Sequence, residues 1–167
     1  MSMPKAFISA PFTSKMSNKK YGLYGEIPDG DYKRFLEDIE TIVKNGGFST
    51  FLPHRDISFW GRVPNLDLGE CDKKYFDEIA SSDIFIAYPE RSRGVHIELG
   101  WAIAHKKRIV LLVRDGFDLG TVITGLKSVA EIDIISFKDI PDLEIKLKNC
   151  LKKIKDSNDR NSSGCSG

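Results

Sequence analysis

Glu98 follows the turn Ser92-Arg93-Gly94 closely, six residues after Ser92, and both lie between two apolar runs, Asp83–Tyr88 and Arg108–Val113. The runs read as buried parallel strands and Val95–His105 as the helix joining them, with Pro89–Gly94 as the turn. In a parallel α/β sheet, ligands bind in the turn after a strand's carboxyl end, where the N–H groups of the next helix point at anions. The Ser92 hydroxyl, successive backbone N–H groups and the Arg93 guanidinium have the chemistry of a phosphate nest. The plainer alternative is a helix cap and a backbone-relieving glycine. By this reading Glu98 sits in the helix's first turn. There the macrodipole lowers its pKa and keeps it ionised, able to attack an electrophilic carbon. The plainer alternative is dipole complementation alone, worth roughly 0.3–1 kcal/mol.

Two further groups belong to the same sheet edge. Ser9 and Ala10 close the first strand and Phe12 follows them, an aromatic placed to stack on a base or to fill the core. His54 and Arg55 follow the second strand, either as base or ribose contacts or as a solvated pair. His96 and His105 read as surface or helix-end residues, and Lys106-Lys107-Arg108 as charge suited to a helix C-terminus.

The elements that must position these residues alternate between short β-branched runs and helical patterns. Strands are expected at Lys5–Ser9, Phe48–Leu52, Asp83–Tyr88, Arg108–Val113 and Ile132–Phe137. Helices are expected at Asp31–Lys44, stopped by Asn45-Gly46-Gly47, and at Cys71–Ser81, Val95–His105 and Asp142–Lys155, with a short one within Arg114–Val129. Thr13–Gly30 and Pro53–Gly69 read as long polar loops, of a length that is usually functional or mobile. The pattern implies one three-layer α/β sandwich of flavodoxin or Rossmann-like type, with five parallel strands ordered 2-1-3-4-5. Residues 1–155 form that domain, and the Gly/Ser-rich 156–167 is expected as a disordered tail.

Bulk composition narrows the partners. With 167 residues and 41% hydrophobic content the chain can build one full core. A net charge of +1 argues against a nucleic-acid footprint, so any polyanion it handles is small. Cys71, Cys150 and Cys165 match neither a disulfide framework nor a metal-site spacing, and no metal or cofactor is expected. No apolar run suits a leader or a membrane span; a cytoplasmic protein without membrane partners is the default expectation.

The ordered segments AFISAPFT, SDIFIAYP, SRGVHIELGWA and KKRIVLLV resemble the nucleoside 2-deoxyribosyltransferase superfamily over about Lys5 to Phe137. With PHRD, WG and VITGL, the set is most similar to the CMP N-glycosidases, followed by the nucleoside 5′-monophosphate hydrolases. Transferases acting on free nucleosides commonly carry acidic residues where this chain has Ser92-Arg93, which favours a 5′-phosphorylated substrate.

The resemblance implies that Glu98 attacks C1′ and displaces the base through an oxocarbenium-like transition state. It implies a phosphate turn at Ser92 and Gly94, Phe12 packing on the base, and backbone near Ser9 and Ala10 along sugar and base. Thr121 or Thr124 would reach phosphate from a neighbouring subunit of a homo-oligomer, expected to be a dimer. Three departures stand out. An Asp that helps protonate the leaving base is replaced by Tyr75, with Asp72 one helical turn earlier on the same face. Thr13 stands where relatives cleaving hydroxymethyl-CMP carry Arg, and the terminal Tyr of the transferases is missing. The expected function is hydrolysis of a pyrimidine nucleoside 5′-monophosphate, CMP first. The rivals are 2′-deoxyribosyl transfer to a second base and a non-catalytic nucleotide-binding module.

Overall fold

The computed structural model describes residues 3–17, 26–63 and 66–163, the last six of these by backbone alone. Five strands, β1 (Lys5–Ser9), β2 (Ser49–Phe51), β3 (Ile84–Ala87), β4 (Arg108–Arg114) and β5 (Ile132–Phe137), form one sheet in the order β2-β1-β3-β4-β5. Every neighbouring pair is parallel; the register Ser9↔Ala87 aligns the carboxyl ends of β1 and β3, and β4 runs on past Ala87↔Leu111 to Arg114. This is the expected single α/β domain and the expected strand order.

Six α-helices are described: α1 (Gly30–Asn45), α2 (Pro53–Asp56), α3 (Leu68–Ser81), α4 (Arg93–Ala104), α5 (Gly120–Gly125) and α6 (Ile140–Ser163). Strand side chains alternate between the two faces, which explains why central strands apolar at nearly every position are needed. Ala6, Ile8, Ile84, Ile86, Val110 and Leu112 face α1 and α6, where Phe35, Leu36, Ile39, Leu147 and Leu151 meet them. Phe7, Phe85, Ala87, Ile109 and Leu111 face α3, α4 and α5, where Tyr75, Ile79, Leu99 and Ala102 close the second core. Phe7 stacks between Phe51 and Phe85, with ring centroids 5.5 and 5.7 Å away. Truncating such a fully buried ring costs about 3–5 kcal/mol.

Among the boundaries that differ from expectation, four have clear local reasons. Asp29 caps α1, accepting from the Asp31 and Tyr32 N–H groups, so the helix starts at Gly30. Asp67 caps α3 in the same way and brings its start forward to Leu68. Pro53–Gly69 is no plain loop: Pro53 opens the one-turn α2, and a 3₁₀ turn follows at Phe59–Gly61. The last helix continues past Lys155, because neither glycine nor proline interrupts the chain before Ser163. Helix α6 thus runs into the segment 156–167 that was expected as a tail, and 164–167 lie outside the described residues. Of the expected Thr13–Gly30 loop, a 3₁₀ turn at Thr13–Lys15 is described, and 18–25 lie outside the described residues.

Candidate active site

The carboxyl ends of β1 and β3 open into a pocket of about 450 Å³, within the roughly 300–1,000 Å³ usual for small-molecule sites. Glu98, Asp72, Tyr75, Ser92, Gly94 and Phe12 all line it, although they come from two helices and two connecting segments. Ala10, Thr13, His54 and Arg93 line it too.

The turn after β3 is built by Ser92. Its Oγ accepts from the Val95 N–H at 3.4 Å, and its carbonyl accepts from the His96 N–H at 3.2 Å. Helix α4 therefore begins at Arg93, two residues earlier than the Gly94 glycine suggests. The N–H groups of Arg93 and Gly94, in the first turn, have no intrahelical acceptor and face the same end as the pocket. A Cβ added at Gly94 would meet Ser92 Oγ at 3.9 Å, ordinary contact, so the backbone itself does not demand glycine there. Arg91 and Arg93 are both exposed at the mouth. The turn thus offers a hydroxyl, two N–H groups and two cations to an anion.

The earlier start moves Glu98 out of the first turn to the sixth residue of α4. It also reverses the expected electrostatics. Burial pushes the Glu98 carboxyl up to about 7, the nearby Asp72 charge adds to the rise, and the Ser9 hydrogen bond opposes it. Desolvation outweighs the macrodipole, which fades beyond the first turn of a helix. The Ser9 hydroxyl, at the buried end of β1, donates to Glu98 Oε2. A half-buried carboxyl with a single donor, beside a second carboxylate and poised near neutrality, is chemically available in a way that a solvated glutamate is not.

The opposite wall comes from the segment that follows β1, Ala10 to Ser14, and from Pro53 and His54 of α2. His54 is buried, with Nε2 2.9 Å from the Pro11 carbonyl. Its ring lies 5.1 Å from Phe12 and 6.1 Å from Trp60, centroid to centroid. Burial holds its pKa down at about 4, so the imidazole is neutral.

Some expected residues fall elsewhere. Arg55, next to His54, points away from the pocket into an ion pair with Glu40 and Asp56. That pairing fastens α2 to α1, and Arg55, expected as a base or ribose contact or as a solvated residue, is not among the residues that line the pocket. Thr121 and Thr124 lie exposed on α5, outside the pocket of their own chain, and Thr124 Oγ1 donates back to the Gly120 carbonyl. Ser9 acts through its side chain on Glu98, whereas only its backbone was expected near the ligand. Arg91 was missed as well, although the pattern Arg-Ser-Arg around Ser92 was there to suggest it. Among the described residues no cluster of His, Cys, Asp or Glu is arranged to hold a metal, and no helix is long and apolar enough to cross a membrane.

Solved structures of known proteins share this architecture. BlsM, solved in solution, is 29% identical with a TM-score of 0.71, the match covering 94% of this chain and 94% of that one. The CMP N-glycosidase BcmB of Clostridium botulinum is 25% identical with a TM-score of 0.63, over 86% of this chain and 96% of that one. A 2-deoxyribosyltransferase of Bacillus psychrosaccharolyticus, at 16% identity and a TM-score of 0.55, covers 84% of this chain and 90% of that one, a likeness of fold alone. No family profile matches the chain, nor does any curated relative. The shared fold and these likenesses are consistent with the nucleoside 2-deoxyribosyltransferase-like superfamily that the sequence resembles.

Proposed function

We propose that the protein hydrolyses the N-glycosidic bond of a pyrimidine nucleoside 5′-monophosphate, CMP first, to free base and (deoxy)ribose 5-phosphate. The observation that carries this reading is one pocket holding both Glu98 and the Ser92–Gly94 turn. A nucleophile and an anion seat on one helix, α4, suit a sugar with its 5′-phosphate at the helix end and C1′ toward Glu98. The likeness to BcmB, a CMP N-glycosidase, supports the choice of substrate.

In this mechanism the Glu98 carboxylate attacks C1′. The C1′–N bond breaks with its electron pair leaving on the base, which takes a proton either from Tyr75 or from Asp72. In the second case it is the one proton that the Glu98–Asp72 pair holds between them, carried on Asp72 when Glu98 is ionised. Asp72 and Tyr75 reach the pocket from one face of α3. Water then attacks C1′ of the glycosyl ester, Glu98 departs as carboxylate, and the water's second proton returns to the acid. The sum is nucleotide plus water giving base plus sugar phosphate, as in retaining glycoside hydrolysis. Phe12 packs against the base, and Ser92, Gly94, Arg91 and Arg93 hold the phosphate. No cofactor enters any step. A homodimer suits the exposed Thr121 and Thr124, which would face the phosphate of a partner copy's site.

The alternative is transfer of the sugar from the same Glu98 ester to a second base. Incubation with dCMP and excess adenine separates them: free cytosine with sugar phosphate supports hydrolysis, and formation of dAMP supports transfer. A protein that binds nucleotides and yields neither product is a binding module, and the catalytic reading then fails.

A further inference from the structure

Two buried donors converge on one backbone oxygen beside the pocket. The Tyr32 hydroxyl, on α1, donates to the Pro11 carbonyl at 2.6 Å, and His54 Nε2, on α2, lies 2.9 Å from the same oxygen. A carbonyl only accepts, so Nε2 carries the proton and the neutral ring keeps its lone pair on Nδ1. Burial raises the Tyr32 pKa and lowers that of His54 to about 4, so both stay donors and uncharged at working pH. A carbonyl has two lone pairs, and here each has its own donor. That fixes the plane of the Pro11–Phe12 peptide, and with it the direction in which Phe12 leaves the end of β1.

The geometry points to Tyr32 and His54 as a two-donor clamp on the Pro11 carbonyl that positions Phe12 as the wall against the base, making both of them positioning residues for base binding. The ring contacts run the same way: His54 touches Phe12 on one side and Tyr32, at 6.2 Å, on the other. Tyr32 also receives the Lys15 ammonium over its ring at 4.8 Å, and Lys15 pairs with Glu90 at 3.2 Å. The clamp is therefore continuous with the 3₁₀ turn that follows Phe12 and with the turn that carries Ser92. Its bearing on catalysis rests on the nucleotide-hydrolase reading above.

The test is Tyr32→Phe, which removes one hydroxyl and keeps the ring and its Lys15 contact. Losing one of two donors is expected to raise KM for CMP roughly three- to tenfold with kcat little changed, because base packing is felt equally in ground and transition states. The inhibition constant of ribose 5-phosphate, which has no base, should stay at the wild-type value. In a Phe12→Ala background Tyr32→Phe should raise KM no further. His54→Gln, which retains an N–H donor, should lose less than His54→Leu. An equal loss for CMP and ribose 5-phosphate, or full additivity with Phe12→Ala, overturns the clamp. Phe12 ring resonances in selectively labelled protein give a readout independent of turnover. Resonances shifted in Tyr32→Phe support the clamp even if wild-type protein releases no cytosine, which would sink only the hydrolase reading. Unchanged resonances overturn the clamp whatever the activity.

Discussion

The Ser9 hydroxyl donates to the Glu98 carboxylate across 89 residues of sequence, tying the end of β1 to α4 at the sheet's carboxyl edge. It is a contact that lowers the Glu98 pKa against the pull of burial. Ser9→Ala removes it. The Glu98 pKa should then rise above about 7, and the acid limb of kcat/KM should move to higher pH. Stability should fall by about 1 kcal/mol for the lost hydrogen bond. A pH–rate profile with an unmoved acid limb contradicts the assignment of that limb to Glu98.

Asp72→Asn acts on the same carboxyl from the other side. The Asp72 charge raises the Glu98 pKa, so its removal should move the acid limb to lower pH, opposite in sign to Ser9→Ala. If Asp72 is also the acid that protonates the base, kcat falls about 10²–10⁴-fold. A kcat near wild type assigns that proton to Tyr75, which shares its face of α3.

The raised Glu98 pKa is also a statement about stability. Between the ordinary 4.5 and about 7 the folded protein holds a proton that the unfolded chain has released. The stabilisation from Glu98 is complete below 4.5 and is lost as pH rises through about 7. Glu98→Gln, neutral throughout, should gain on wild type with rising pH, by on the order of 3 kcal/mol at pH 8. Denaturant titrations at pH 4.5 and pH 8 measure this. Equal differences at the two pH values contradict a desolvated, pKa-raised Glu98.

Ser92 has two tasks that can be separated. Its oxygen caps α4 through the Val95 N–H, while its hydrogen is proposed to donate to phosphate. Ser92→Ala should therefore cost about 1 kcal/mol of stability and also weaken ribose 5-phosphate binding. Gly94→Ala creates no close contact within the chain, so its Tm should match wild type while KM for CMP rises. Calorimetric melting beside inhibition kinetics distinguishes the two variants. An unchanged KM in Gly94→Ala removes that residue from the phosphate seat.

The sheet was legible because its cause is local. Apolar runs such as Ile84–Ala87 and Arg108–Val113 alternate with helical stripes, and short right-handed crossovers allow few strand orders. The site was legible as a set of positions around Ser92 and Glu98, but its electrostatics were not. Gly94 looked like the end of a turn, whereas the Ser92 cap starts the helix at Arg93, and that shift changed Glu98 from a dipole-stabilised carboxylate into a desolvated one. Tertiary pairings account for the other differences. Arg55 is drawn off by Glu40, fifteen residues away, and His54 is buried beneath Phe12 and Trp60. Phe59 and Trp60 adopt left-handed backbone, φ 46° and 60°, a conformation that aromatic residues do not announce in sequence.

The most direct test is the release of cytosine from CMP and from cytidine, by wild-type protein and by Glu98→Ala, followed by chromatography. The account predicts cytosine from CMP, little or none from cytidine, and none from either with Glu98→Ala while its fold persists. Release by Glu98→Ala at a near-normal rate, or equal release from CMP and cytidine by wild type, would contradict the nucleophile or the phosphate seat respectively.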